Sequence, residues 1–271
     1  MRRILDRPVF VIALPRSGST LLFDVLRAHE GVRAWDSEAY PPFAAVDPSV
    51  GTGARGDAFD PGCVDDTAWR RCEWAFHEGV MGGGWRERRG RVRYRLVDKT
   101  PPNVLRVRAL AAMFPDALFV HLVRDAPQSI ASMIEGRERG LSVRGWPARN
   151  GMDWHFLMPP GWMDHLDDSP AQQFAWQWQV GTQTPLDDLA GLRSMRVRYE
   201  DFIADAPRVV DEIVAFAQLP PSPAVTRAAQ ELAVNDVSLS APDRNKWLAR
   251  ASAIEPVLPP LTALRQTLGY V

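Results

Sequence analysis

The chain has 271 residues, of which 46% are apolar and 24% charged, and its formal net charge at pH 7 is −1. That balance belongs to a folded globule and excludes wholesale disorder, while the near-zero charge argues against a general nucleic-acid or membrane-surface binder and leaves room for a local basic site. Two cysteines, Cys63 and Cys72, make neither a disulfide framework nor a complete cysteine zinc site.

Residues 9–14 form a continuous apolar run, the mark of a strand buried on both faces of a parallel sheet. The run is too short for a signal peptide or a membrane anchor, so a cytoplasmic location is expected. PRSGST follows, and then Leu21, Leu22, Val25 and Leu26 recur at helical spacing. Residues 32–35 suit a second short strand. Residues 44–62, rich in Pro, Gly, Asp and Ala, read as a long surface loop. A helix is predicted over 67–80, then a strand over 94–97 running into DKTPPN, and a helix over 104–114.

Residues 117–123 are the clearest second buried strand, ending at Arg124–Asp125, with Pro127 in the first turn of the next helix. A strand over 195–199 and a helix over 207–219 complete the alternation. Repeated strand–helix order predicts an α/β fold, a parallel central sheet flanked by helices with right-handed crossovers. The length suits one domain over residues 1–271. Residues 136–169 break the rhythm and carry Trp146, Trp154 and Trp162, with Trp176 and Trp178 just beyond. The segment is too long for a plain connection and reads as an insert or lid whose tryptophans are either core or pocket wall. After residue 238 the tail is polar and irregular through Trp247, then amphipathic and helical near 261–268.

Arg16, Ser17, Gly18, Ser19 and Thr20 join a buried strand to a helix. A flexible glycine, hydroxyls, one cation and the open N–H groups of a helix start together suit an anion such as phosphate. A plain turn with Ser17 or Ser19 as N-cap is the simpler alternative. The loop lacks the lysine of GxxxxGK[ST], which disfavours a P-loop kinase. Arg124 falls at a strand's carboxyl end, where open α/β sheets place ligands, and Ser132 lies eight residues later. Taken alone, these two read as a surface Arg124–Asp125 pair and a solvated serine.

PRSGSTLL, VDKTP, LVRDAPQSIAS, RYEDF and a final KW…LGY, in that order, resemble the sulfotransferases that use 3′-phosphoadenosine 5′-phosphosulfate (PAPS). The resemblance implies the P-loop-NTPase-like sulfotransferase fold and transfer of a sulfuryl group to a small-molecule or carbohydrate hydroxyl. It implies that Arg16 to Thr20 cradle the 5′-phosphosulfate and that Arg124 and Ser132 hold the 3′-phosphate. Arg244, Lys246 and Trp247 would close over the cofactor, while RYEDF matches a mostly structural strand end and is left out of the site.

In many cytosolic members a histidine follows the Lys-Thr pair; here Lys99-Thr100 is followed by Pro101. The chain thus resembles more closely the bacterial and Golgi-type branch, whose base is a glutamate after the second strand. The matching residue is Glu38, in WDSEAYPPF, with Asp36 as fallback and an exposed, idle loop carboxylate as the plain alternative. Lys99, one of only two lysines beside Lys246, would stabilise charge on the oxygen bridging phosphate and sulfate, together with Arg16. The scheme calls for no metal. An ATP-dependent kinase or a non-catalytic nucleotide-binding protein stays open as an alternative. The acceptor is not legible.

Overall fold

The computed structural model describes residues 3–81, 93–141, 154–232 and 245–271. Five parallel strands form one sheet among these residues: β1 (Val9–Ala13), β2 (Val32–Ala34), β3 (Arg95–Asp98), β4 (Leu118–Val123) and β5 (Ser194–Arg198), in the order β2-β3-β1-β4-β5. Every residue of β1 and β4 is buried, in keeping with sequences that are apolar throughout but for His121. β1 pairs with β4 through Val11–Val120 and Ala13–Leu122, and with β3 through Phe10–Asp98.

Side-chain alternation along β1 divides the core. Phe10, Ile12 and Leu14 enter one apolar layer; Val9, Val11 and Ala13 enter the other. Between the strands run α1 (Ser19–Leu26), α2 (Tyr40–Ala44), α3 (Ala68–Met81), α4 (Val107–Met113), α5 (Ala126–Glu138) and α6 (Pro170–Asp188). After β5 come α7 (Tyr199–Ala204), α8 (Ala206–Phe216), α9 (Pro223–Gln230), α10 (Ala251–Ile254) and α11 (Thr262–Thr267). No described helix is long and apolar enough to cross a membrane.

β1 and β4 are neighbours whose outgoing connections lead to opposite edges, β1 to β2 and β4 to β5. The crevice beyond their carboxyl ends is therefore a topological switch point, the place where open α/β sheets hold ligands.

Two sequence expectations change, and one element is new. The 44–62 segment is turn-rich as expected, yet Val46, Val50, Asp57 and Phe59 point inward and pin it to the body. Residue 136 is not the start of an insert, because α5 continues through it to Glu138. The 19-residue α6 is an element the sequence reading did not foresee. Of the expected insert, residues 154–169 are described: Trp154, Met158 and Trp162 are buried together, their rings 5.5 Å apart for the tryptophan pair. The indole N–H of Trp154 bonds Leu157 O and that of Trp162 bonds Gly53 O. These two tryptophans are core; Trp146 and the rest of the segment lie outside the described residues.

Candidate active site

The loop from Leu14 to Gly18 makes a tight reversal held from within. Ser17 donates from both its backbone N–H and its hydroxyl to Leu14 O, at 3.3 and 2.6 Å, so its side chain braces the loop. Arg16 adopts a left-handed φ of 65° and Gly18 one of 87°. Gly18 is the N-cap of α1 and no side chain caps that end. The N–H groups of Ser19 and Thr20, with Ser19 buried and Thr20 half-buried, thus open a cradle at the positive end of the helix.

Tyr199 fills the space against Gly18: a Cβ there would fall 2.3 Å from its Cε2. The same ring lies beneath the Arg124 guanidinium, 4.4 Å from ring centroid to Cζ. Arg124 Nη1 donates to Arg16 O at 3.0 Å, and its buried Nε has no hydrogen-bond partner among the described residues. Trp178, from α6, donates to Arg124 O at 3.0 Å. Arg124 is thus fixed from three sides while its buried Nε–H is left open, an arrangement that suits an oxyanion. Burial lowers the Arg124 pKa, and Tyr199 and Glu200 oppose that; a guanidinium stays cationic regardless. Tyr199 belongs to RYEDF, which the sequence reading set aside as structural. There its aromatic ring joins the loop after β1 to the end of β4.

Arg16 runs along α5, its Cδ and Nε lying 3.7 Å from where a Cβ of Gly136 would stand. Burial lowers its pKa and the nearby Glu135 raises it. Glu135, buried on α5, pairs with Lys246 and with Arg139 Nη2 at 2.9 Å. Lys246 therefore does reach α5, on the helix that carries Ser132. Ser132 is half-buried and Trp247 packs on the main core. Arg244 lies outside the described residues.

The second half of the site sits at the end of β3. Lys99, 6% exposed in its side chain, donates to Glu38 Oε1 at 2.9 Å. Tyr40 donates to Glu38 Oε2 at 2.7 Å. Burial and the Glu38 charge push the Tyr40 phenol far up, so it remains a donor. Pro42 and Phe43 are buried, but the Glu38 side chain is still 31% exposed. Two donors orient the carboxylate; an apolar seal does not. Asp36 is exposed. Lys99 Nζ also lies 6.0 Å from the Phe23 ring of α1, which ties this pair to the helix that begins at the cradle.

The model of the sulfotransferase family matches residues 8–223, from β1 through β5 to α9. The chain belongs to the sulfotransferase family. A Caenorhabditis briggsae protein provisionally described as a protein-tyrosine sulfotransferase is 28% identical over 142 residues, 52% of this chain and 46% of the relative. The chain thus spans about half the length of the curated relative it matches. A sulfotransferase of Mycobacterium avium superposes with a TM-score of 0.57 at 15% identity, covering 97% of this chain and 76% of that one. The sulfotransferase domain of the Synechococcus PCC 7002 olefin synthase gives 0.53 at 19% identity, over 90% and 83%. At these identities the two structures establish the P-loop-like sulfotransferase fold.

Other residues of note in this family member lie elsewhere. His121, inside β4, is buried and its pKa is pushed down to about 3 by burial, so it is a neutral core side chain. Tyr199, Asp98 and Asn103 are the side chains at the site that the sequence reading passed over. The first stood in a quoted motif, and the other two flank the Lys-Thr pair.

Proposed function

We propose that this chain transfers a sulfuryl group from PAPS to a hydroxyl of a small-molecule or carbohydrate acceptor, with Glu38 as general base, as in the bacterial and Golgi-type branch. One domain over residues 1–271 carries the reaction, and the segments at 44–62 and between α5 and α6 choose the acceptor. The observation that carries the reading is the ion pair of Lys99 with Glu38, set beside α1, whose uncapped end opens between β1 and β4.

The residues suit the donor. The uncapped start of α1, the glycine that keeps the cradle open against Tyr199, and the partnerless Nε of Arg124 all favour phosphate oxygens. When bound, PAPS supplies an electrophilic sulfur and a stable leaving group, 3′-phosphoadenosine 5′-phosphate (PAP). Arg16 and the N–H groups of Ser19 and Thr20 hold the 5′ end. Arg124 and Ser132, with Lys246 and Trp247 closing above, hold the 3′-phosphate.

Lys99 stabilises the charge left on the bridging oxygen as the sulfur–oxygen bond breaks. Each oxygen of Glu38 keeps a lone pair beyond its present hydrogen bond, so the carboxylate can accept the acceptor's proton as the new bond forms. Lys99 fixes where that carboxylate stands.

The test is calorimetric titration with PAP, with ADP as the control lacking a 3′-phosphate, followed by labelled PAPS and an acceptor panel. The panel includes phenols, sugars and a tyrosyl peptide, the last because of the C. briggsae relative's description. Micromolar PAP binding with much weaker ADP, and label transfer to one class, is the expected result. Equal or absent binding overturns the reading.

A further inference from the structure

The corner that carries Lys99 and the loop that carries Glu38 are joined twice. Lys99 Nζ donates to Glu38 Oε1 at 2.9 Å, and Ala39 N–H donates to Thr100 Oγ1 at 3.0 Å. Glu38 and Ala39 are consecutive, as are Lys99 and Thr100, so the two contacts close a ring. A hydroxyl has one proton and two lone pairs. The Thr100 proton goes to Asp98 Oδ1 at 3.1 Å, which leaves a lone pair turned to Ala39. Asp98 Oδ2 accepts from Asn103 Nδ2 at 2.8 Å. Both oxygens of Asp98 thus face donors, an arrangement that an ionised carboxylate satisfies and an amide or a protonated acid does not. Asp98, Thr100 and Asn103 are all fully buried, so the set is isolated from bulk water.

We propose that Asp98 is a positioning residue for the transfer reaction: acting through the Thr100 hydroxyl while ionised, it sets where Glu38 stands relative to Lys99. The proposal rests on the reading of Lys99 and Glu38 given above and extends it to a residue that touches neither donor nor acceptor.

The charged and titratable groups facing Asp98 come from four places. Lys99 adjoins it, Glu38 faces it from the loop before α2, Cys72 from α3, and Arg106 from the start of α4. Burial pushes the Cys72 thiol well up, so it stays neutral. Lys99 favours the ionised carboxylate and Glu38 opposes it. Burial is the largest influence and raises the Asp98 pKa to about 7. Protonation reverses the bond to Thr100: the acid becomes the donor, and the threonine proton then needs another acceptor.

The chain's two lysines make the test direct. Isotopic labelling at lysine Cε gives one signal for Lys99 and one for Lys246, assigned with Lys246→Arg. In donor-free protein the Lys99 signal should move as Asp98 takes up its proton, with a midpoint of about 7, and the acid limb of kcat should share that midpoint. Asp98→Asn should abolish the midpoint. Thr100→Val should move it upward, because it deletes a hydrogen bond to the ionised form, and should lower kcat by roughly 10–100-fold with PAP affinity unchanged. Thr100→Ser should restore both.

A wild-type Lys99 signal with no such midpoint overturns the proposal, and so does Thr100→Val with wild-type kcat. The wild-type titration needs no variant to fold. If wild-type protein neither binds PAP nor transfers label, the functional reading fails, while the donor-free Lys99 titration still decides whether Asp98 governs this corner.

Discussion

Gly18 and Tyr199 occupy one another's space: a Cβ on residue 18 would fall 2.3 Å from the tyrosine Cε2. The loop after β1 and the corner after β5 meet there because residue 18 has no side chain. Its φ of 87° adds a second reason. Gly18→Ala should therefore displace the Tyr199 ring, and the left-handed backbone alone should cost about 1–2 kcal/mol. PAP affinity should fall at least about tenfold, a change of about 1.4 kcal/mol. Calorimetry with PAP and thermal melting check both effects; wild-type affinity in the variant would remove the glycine from the cradle.

Arg124 is held by Arg16 O and by the Tyr199 ring, so it is already in place before any ligand arrives. Arg124→Ala should weaken PAP binding by roughly 1.5–3 kcal/mol, the worth of a charge-assisted hydrogen bond. ADP binding should barely change. A loss equal for both nucleotides would place Arg124 away from the 3′-phosphate.

Glu38→Gln keeps the side chain's shape and can still accept from Lys99, but it takes no proton. Turnover should drop by roughly 10²–10⁴-fold, the usual contribution of a general base, with PAP affinity near normal. Surviving turnover would reassign the base, with Asp36 the first residue to test.

Two buried groups should give stability opposite slopes against pH. His121 has its pKa pushed down to about 3 by burial. Its contribution is whole above the unfolded value of about 6.5 and is lost as pH falls toward the folded one. Asp98 behaves in reverse. It holds its proton up to about 7 when folded and releases it near about 4 when unfolded, so its contribution declines as pH rises across that interval. Urea titrations from acid to neutral pH should show a flatter acid loss in His121→Leu and a steeper one in Asp98→Asn.

Arg265, on α11, grips Asp125 with two hydrogen bonds of 2.8 and 3.0 Å, next to Arg124. Asp125 also caps α5 through Ala126 N–H. The side chains are 13% and 11% exposed, so Arg265→Met should cost a little less than the roughly 3–5 kcal/mol of breaking a fully buried pair. PAP affinity should fall with it. A double-mutant cycle with Asp125→Asn separates the pair from the cap.

The parts of the fold legible in sequence are those where burial is complete. VFVIA and LFVHLV have no polar face to disguise them, and both are strands. α6 was not legible because Gln173, Gln177 and Thr182 lie among its buried residues and Pro185 interrupts its last turn. Its start did carry a signal: Ser169 and Gln172 form a capping box around Pro170. At the site, Lys99 and Glu38 were found by motif and do meet. Tyr199 was passed over because its role is set by a glycine distant in sequence, which spacing does not reveal. Asp98 and Asn103 were passed over because a buried acceptor looks, in sequence, like any strand-end acid.

The contact of Arg124 with Arg16 spans 108 residues and that of Arg265 with Asp125 spans 140. A ribosome making this chain therefore releases the cradle long before the segment that locks it. The β1–loop–α1 unit is made well before the arginine that steadies Asp125, which arrives about 140 residues after its partner. Donor affinity should thus be gained in a late step of biogenesis, when Arg265 and Tyr270 close on Asp125 and Glu200, and shortened nascent chains should collapse around the sheet without holding nucleotide.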